Sequence, residues 1–193
     1  MDLKDGVVAV KAARKFIEFW TEGNRTTVDF PESFSKKSGV FVTVLKYPSG
    51  DLRGCIGYSE PILSLREALE NSALSVCHDP RFPHLTIEEA KACTVEVTIL
   101  TPPKELKFNN VDEMLNKIEL GKDGVIMDFR GYKGLYLPQV PIEQGWDKQE
   151  MMFHLSEKAG LNRGAWIYKG TRVWTFQGEI FSEVNPSGEV VRK

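Results

Sequence analysis

The segment Leu52-Arg53-Gly54-Cys55-Ile56-Gly57 holds the residues of this chain best suited to chemistry. In an extended strand, residues two apart share a face, so Arg53 and Cys55 are expected to project side by side. A fixed guanidinium next to a thiol lowers the thiol pKa and raises the fraction of nucleophilic thiolate. Gly54 and Gly57 carry no side chains, which lets a ligand approach the backbone. The strand therefore reads as a candidate nucleophile or an anion-binding arm. The same residues also read as packing, with Cys55 a small core hydrophobe and the glycines marking a bulge or a close strand contact.

Three further charged residues fall where the local pattern should hold them still. Asp79 and Arg81 flank Pro80 in Asp79-Pro80-Arg81-Phe82-Pro83, and their first reading is an ion pair that locks a corner. If Arg53 and Arg81 instead faced a common space, their planar forks of donors would form a receptor for a phosphate or carboxylate. Glu96 would then be the acid or base of the site. The candidate set is thus Cys55 and Glu96 as catalytic groups, with Arg53, Gly54, Gly57, Asp79 and Arg81 binding a ligand.

The remaining chemistry-bearing residues read as structural. Cys93 falls on the apolar face of its strand and Cys77 near the end of the second helix, and both are expected to pack. His78, His84 and His154 lack compact metal-ligand spacing such as HExxH, so neither a metal site nor a cofactor is expected. Gly121-Lys122-Asp123-Gly124 lacks the phosphate-loop spacing and leads into a strand, so it reads as a turn.

The elements that must position these residues follow from periodicity and punctuation. Leu3, Val7, Val10, Ala13, Ile17 and Trp20 recur at helical spacing, predicting an amphipathic helix with one face on the core and a stop at Gly23. Val40 to Leu45 and Leu52 to Tyr58, joined by Pro48-Ser49-Gly50-Asp51, predict a hairpin whose second arm carries Cys55. A second helix opens at Pro61 and breaks before Pro80, and a polar corner follows. From Cys93 to Leu100 apolar and polar residues alternate, which puts Glu96 in mid-strand.

Val111 to Ile118 reads as a short helix, and Gly124 to Phe129 with Leu135 to Leu137 as a second hairpin. Asp147 and Glu150 form a capping box for a third long helix ending before Gly160. Arg172 to Val184 reads as a last β segment before a polar tail. Strands and helices that do not strictly alternate predict an α+β fold with antiparallel or mixed sheets and flanking helices, in a single domain spanning residues 1–193.

At 193 residues the chain is long enough to bury a core without staples. An apolar fraction of 41% and a net charge of -2 exclude any sequence-wide field favouring polyanions. Three cysteines without CxxC spacing argue for free thiols in a reducing compartment. No window is long and apolar enough to span a bilayer, so the expectation is a cytoplasmic protein with no membrane partner.

The run Leu52-Arg53-Gly54-Cys55-Ile56-Gly57 resembles the signature of the AMMECR family. Gly39-Val40-Phe41-Val42-Thr43, Asp79-Pro80-Arg81-Phe82, Glu96-Val97-Thr98-Ile99-Leu100, Leu137-Pro138-Gln139-Val140, Gly145-Trp146-Asp147 and Lys158-Ala159-Gly160-Leu161 add to the resemblance, in family order along nearly the whole chain. The resemblance implies a larger and a smaller lobe with a groove between them and the signature near it; the lobe boundary is not readable from sequence. It also implies a pathway shared with Memo-type and radical S-adenosylmethionine proteins, and it carries no catalytic assignment.

Three functional expectations result. A small-molecule site for an anionic ligand, enzymatic or only binding, built around the signature strand comes first. A non-catalytic partner of the Memo-type and radical S-adenosylmethionine proteins comes second. A nucleic-acid role comes third, resting on Lys36, Lys37, Lys46, Arg130 and Lys133 with Tyr47 and Tyr132, residues that more often form a solvated face.

Overall fold

The computed structural model describes residues 1–193. In chain order it contains α1 (Leu3–Thr21), β1 (Val40–Lys46), β2 (Leu52–Tyr58), α2 (Leu65–Val76), α3 (Ile87–Ala92) and β3 (Cys93–Leu100). These are followed by β4 (Lys104–Glu105), α4 (Val111–Asn116), β5 (Gly124–Phe129), β6 (Tyr132–Tyr136), α5 (Gln139–Gln144), α6 (Lys148–Lys158), β7 (Arg172–Phe176), β8 (Gly178–Glu183) and β9 (Val190–Arg192). Helices and two separate sheets make this an α+β protein. No helix is long and apolar enough to cross a membrane.

The chain divides into two compact units. The first comprises Met1–Leu100 and Glu179–Lys193, and the second comprises Thr101–Gly178. The first unit is discontinuous: its five-stranded sheet, in the order β2-β1-β3-β8-β9, takes its last two strands from beyond the second unit. One β segment was expected from Arg172 to Val184, but the backbone breaks it at Gln177. β7 belongs to the four-stranded sheet β4-β7-β5-β6, and β8 to the other sheet. At the break the Gln177 N–H donates to Thr101 Oγ1 at 2.9 Å, and the Thr101 N–H donates to the Gln177 carbonyl at 2.8 Å. The two connections are therefore paired with each other.

In the first unit, Val40, Val42 and Val44 of β1 and Val95, Val97 and Ile99 of β3 pack into one core with α1 and α2. The helical stripe of α1 delivers Ala9, Val10, Ala13, Phe16 and Ile17 to that core, and its larger members each contribute about 1.5–3 kcal/mol. The ends of the stripe do not follow: Leu3 is 50% and Trp20 36% exposed, because the core does not extend to the helix termini. α2 starts at Leu65 rather than Pro61, where Ser64 and Glu67 form a capping box. The expected polar corner contains a further short helix, α3, capped in the same way by Thr86 and Glu89.

A buried ion pair ties the discontinuous halves of this unit together. Arg14 of α1 is bonded through Nε to Glu183 Oε1 at 3.0 Å and through Nη2 to Glu183 Oε2. Its other donors reach the carbonyls of Ala90 and Cys93, each at 2.6 Å, and Glu183 also accepts from the Val95 N–H at 2.9 Å. Each nitrogen of the guanidinium and each oxygen of the carboxylate thereby has at least one partner, which such a buried pair requires.

In the second unit, Met151, Met152 and Leu155 of α6, Met114 of the short helix α4 and Ile118 just after it pack against Val125, Met127 and Val173 of its sheet. Asp147 and Glu150 form the expected capping box at the start of α6. Helix α5 was not expected; it contains Pro141 and ends on Gly145, whose φ of 68° is left-handed.

Candidate functional site

Register decides which side chains of the signature strand meet. Thr43 of β1 pairs with Cys55 of β2 on one side and with Glu96 of β3 on the other. Residues directly opposite in neighbouring strands share a face, so Cys55, Thr43 and Glu96 form one lateral row. The alternating Val42, Val44, Val95 and Val97 are all buried in the core on the other face. The Thr43 hydroxyl lies 3.2 Å from Cys55 Sγ and donates to it. Glu96 Oε2 accepts from Lys193 Nζ at 2.6 Å, extending the row to an ammonium. Cys55 is half-buried rather than sealed.

Arg53 does not join this row. The pairing shifts between Val44 and Leu45: Gly54 pairs with Val44 and Leu52 with Leu45, so Arg53 is left without a partner in the register. Such a bulge breaks the simple alternation on which the expected Arg53–Cys55 pair rested. The guanidinium is 4% exposed and binds Glu89 through Nε at 3.0 Å and Nη2 at 2.8 Å, with Nη2 also reaching the Pro83 carbonyl at 2.9 Å. Its bond to Glu89 raises the Arg53 pKa and holds the Glu89 carboxyl below its usual range. Arg53 thus fixes α3 and the preceding corner to β2.

Asp79 and Arg81 instead clasp the backbone of Cys55. β2 is an edge strand, and edge strands expose unpaired amides and carbonyls. The Cys55 N–H donates to Asp79 Oδ2 at 2.9 Å, and Arg81 Nη2 donates to the Cys55 carbonyl at 3.0 Å. Arg81 also binds Asp79 through Nε to Oδ1 at 3.0 Å and Nη2 to Oδ2 at 2.7 Å. The bond from Arg81, aided by the two backbone donors, holds the buried Asp79 carboxyl far below the usual carboxylate range. Arg81 is itself 54% exposed, and its Nη1 has no partner in the protein.

The glycines of the signature serve close packing. A Cβ on Gly57 would lie 2.2 Å from the Val40 carbonyl oxygen and 2.6 Å from Phe41 Cα, and one on Gly54 would lie 3.0 Å from Val76 Cγ2. Neither position opens a path for a ligand to the backbone. Cys77 and Cys93 are buried, and burial pushes the Cys77 thiol up to about 12 and raises that of Cys93.

Among the histidines, His78 Nε2 accepts from Trp20 Nε1 at 2.8 Å, and its ring stands edge-on to His84 at 4.5 Å. His154 stacks on Trp146 in the second unit, with ring centroids 4.1 Å apart. Sequence reasoning missed Thr43 and Lys193. The polar alternation of Thr43 against Val42 and Val44 was its signal, whereas Lys193 carried none.

These features define an α+β protein with an inserted second unit and, on the first unit's sheet, a cysteine edge strand clasped by an Asp–Arg pair. The AMMECR1 family model matches residues 10–181, and the chain belongs to that family. A Methanocaldococcus jannaschii protein is 47% identical over 195 residues, covering 100% of this chain and 97% of its own. A Methanopyrus kandleri protein is 40% identical over 194 residues, covering 98% of this chain and 94% of its own. The crystal structure of a Pyrococcus horikoshii protein superposes with a TM-score of 0.79 at 40% identity, covering 100% of this chain and 98% of that one.

Proposed function

We propose that the row Cys55–Thr43–Glu96–Lys193 is a thiol-centred site for a small anionic molecule with an electrophilic carbon. The observation that carries this reading is the bond from the Thr43 hydroxyl to Cys55 Sγ, in a row that continues in register to Glu96. A hydroxyl donor stabilises a thiolate, which is the nucleophilic form of cysteine. Attack forms an S–C bond while the pair of electrons displaced from the electrophilic double bond moves onto its heteroatom. The heteroatom takes up a proton from solvent in place of the one the thiol gives up to solvent, and the Lys193 ammonium, paired with Glu96, adds positive charge at the end of the row. Arg81, exposed and tethered to the Cys55 carbonyl, offers its free Nη1 to the anionic group.

The rate of alkylation with iodoacetamide at a fixed, near-neutral pH tests this. Native wild-type protein should lose one thiol that reacts faster than free cysteine at the same pH and is absent in Cys55→Ser. Thr43→Val should slow that reaction several-fold at the same pH while changing stability by less than ~1 kcal/mol, the order of one ordinary hydrogen bond. A Cys55 thiol that reacts no faster than free cysteine, at a rate unchanged in Thr43→Val, refutes the nucleophile.

A further inference from the structure

A cavity of about 780 Å³ lies in the first unit, away from Cys55, where the C-terminal end of α1 and the following residues meet α2. Its volume falls in the range of small-molecule sites, roughly 300–1,000 Å³. Phe19 and Trp20 wall it with aromatic rings from one helix end, together with the buried core residue Phe16. The Trp20 indole N–H is already donated to His78, so Trp20 offers the cavity ring surface rather than a donor. Two opposite charges stand in the same lining, Arg25 after α1 and Glu70 on α2.

Neither of those charges has a hydrogen-bond or ion-pair partner in the protein. Their neighbours do: Glu22 is bonded to Lys91, and Glu67 caps α2 through Ser64. An unpaired carboxylate and an unpaired guanidinium beside aromatic walls are complementary to a flat ring that carries N–H donors on one edge and an anion at the other end. A carboxylate has only acceptors, so it matches an edge with two adjacent donors, as the guanine edge has in N1–H and the N2 amino group. The adenine edge opposes it with the N1 lone pair. Stacking on aromatic rings favours either base to a similar degree, roughly 1–3 kcal/mol per base, so the carboxylate decides between them.

We propose that this cavity binds a guanine nucleotide, the base against the Phe19 and Trp20 rings with its donor edge on Glu70, and the phosphate on Arg25. The site is separate from the Cys55 row and does not rest on the function proposed for it.

Isothermal titration calorimetry of the full chain with GMP, AMP and ribose 5-phosphate tests this. GMP should bind with a Kd below ~1 mM and at least about tenfold more tightly than AMP or ribose 5-phosphate, as one charge-assisted hydrogen-bonded pair allows. Glu70→Gln should abolish the preference for GMP over AMP, and Arg25→Ala should weaken GMP by about tenfold. Cys55→Ser should leave GMP binding unchanged, which separates this site from the thiol. Three results overturn the proposal: no saturable GMP binding, equal affinity for GMP and AMP, or a GMP preference that survives Glu70→Gln. The first two need only wild-type protein.

Discussion

The two faces of the first unit's sheet use polar residues in opposite ways. On the helix-covered face, charge is neutralised completely: Arg14 and Glu183 satisfy each other and three backbone groups, and Arg53 is held by Glu89. The thiols there, Cys77 and Cys93, are sealed and raised in pKa. On the other face Cys55, Thr43 and Glu96 stand in a row with a half-buried sulfur. Identical residue types thus become packing or candidate chemistry according to the face they occupy and whether their partners leave anything unpaired.

The comparison can be broken from the covered side first. Glu183→Ala leaves Arg14 buried without a counterion and should lower unfolding free energy by about 3–5 kcal/mol in urea titrations. A loss under ~1 kcal/mol would mean that the pair is solvated and the two faces are not so different.

Asp79→Asn at the strand edge should cost about 1.5–3 kcal/mol, the range for hydrogen bonds to a charged group. It also has a pH signature. The folded Asp79 pKa is depressed, so its contribution is present above the unfolded value of ~3.9 and is lost as pH falls from there toward the folded value. Wild-type stability should therefore drop on acidification below about pH 4 more steeply than that of Asp79→Asn, as read from thermal unfolding at several pH values. Parallel curves would show that Asp79 does not hold the edge.

On the row's own face, Gly57→Ala forces a methyl against the β1 backbone and should cost about 1–3 kcal/mol. Because the obstruction is structural, the Cys55 alkylation rate at fixed pH should be unchanged in this variant. A changed rate would tie the glycine to the thiol's environment.

Much of this was legible in the sequence because it is written in side-chain periodicity. The strand from Cys93 to Leu100, the hairpin carrying Cys55 and the Asp147 cap of α6 all lie where pattern and punctuation put them. The bulge at Arg53 was not legible, because Gly54 and Gly57 carry no side chains and alternation is silent where residues have none. The row through Thr43 depends on pairing between strands distant in sequence, which no local window contains. The Thr86-x-x-Glu89 signal of α3 was present but obscured by the proline-rich stretch before it. Trp20 fits the apolar stripe of α1 by spacing alone, and only the limits of the core show that it walls a cavity instead.

The discontinuity of the first unit has a consequence for how the protein is made. Arg14 and Glu183 are 169 positions apart, so a ribosome adding about 5–20 residues per second needs on the order of 10–30 s between them. Throughout that interval the nascent α1 carries an arginine whose counterion does not yet exist, and β3 lacks its β8 neighbour. The inserted unit, contiguous from Thr101 to Gly178, is complete earlier and can fold while the surrounding unit still waits for its last strands.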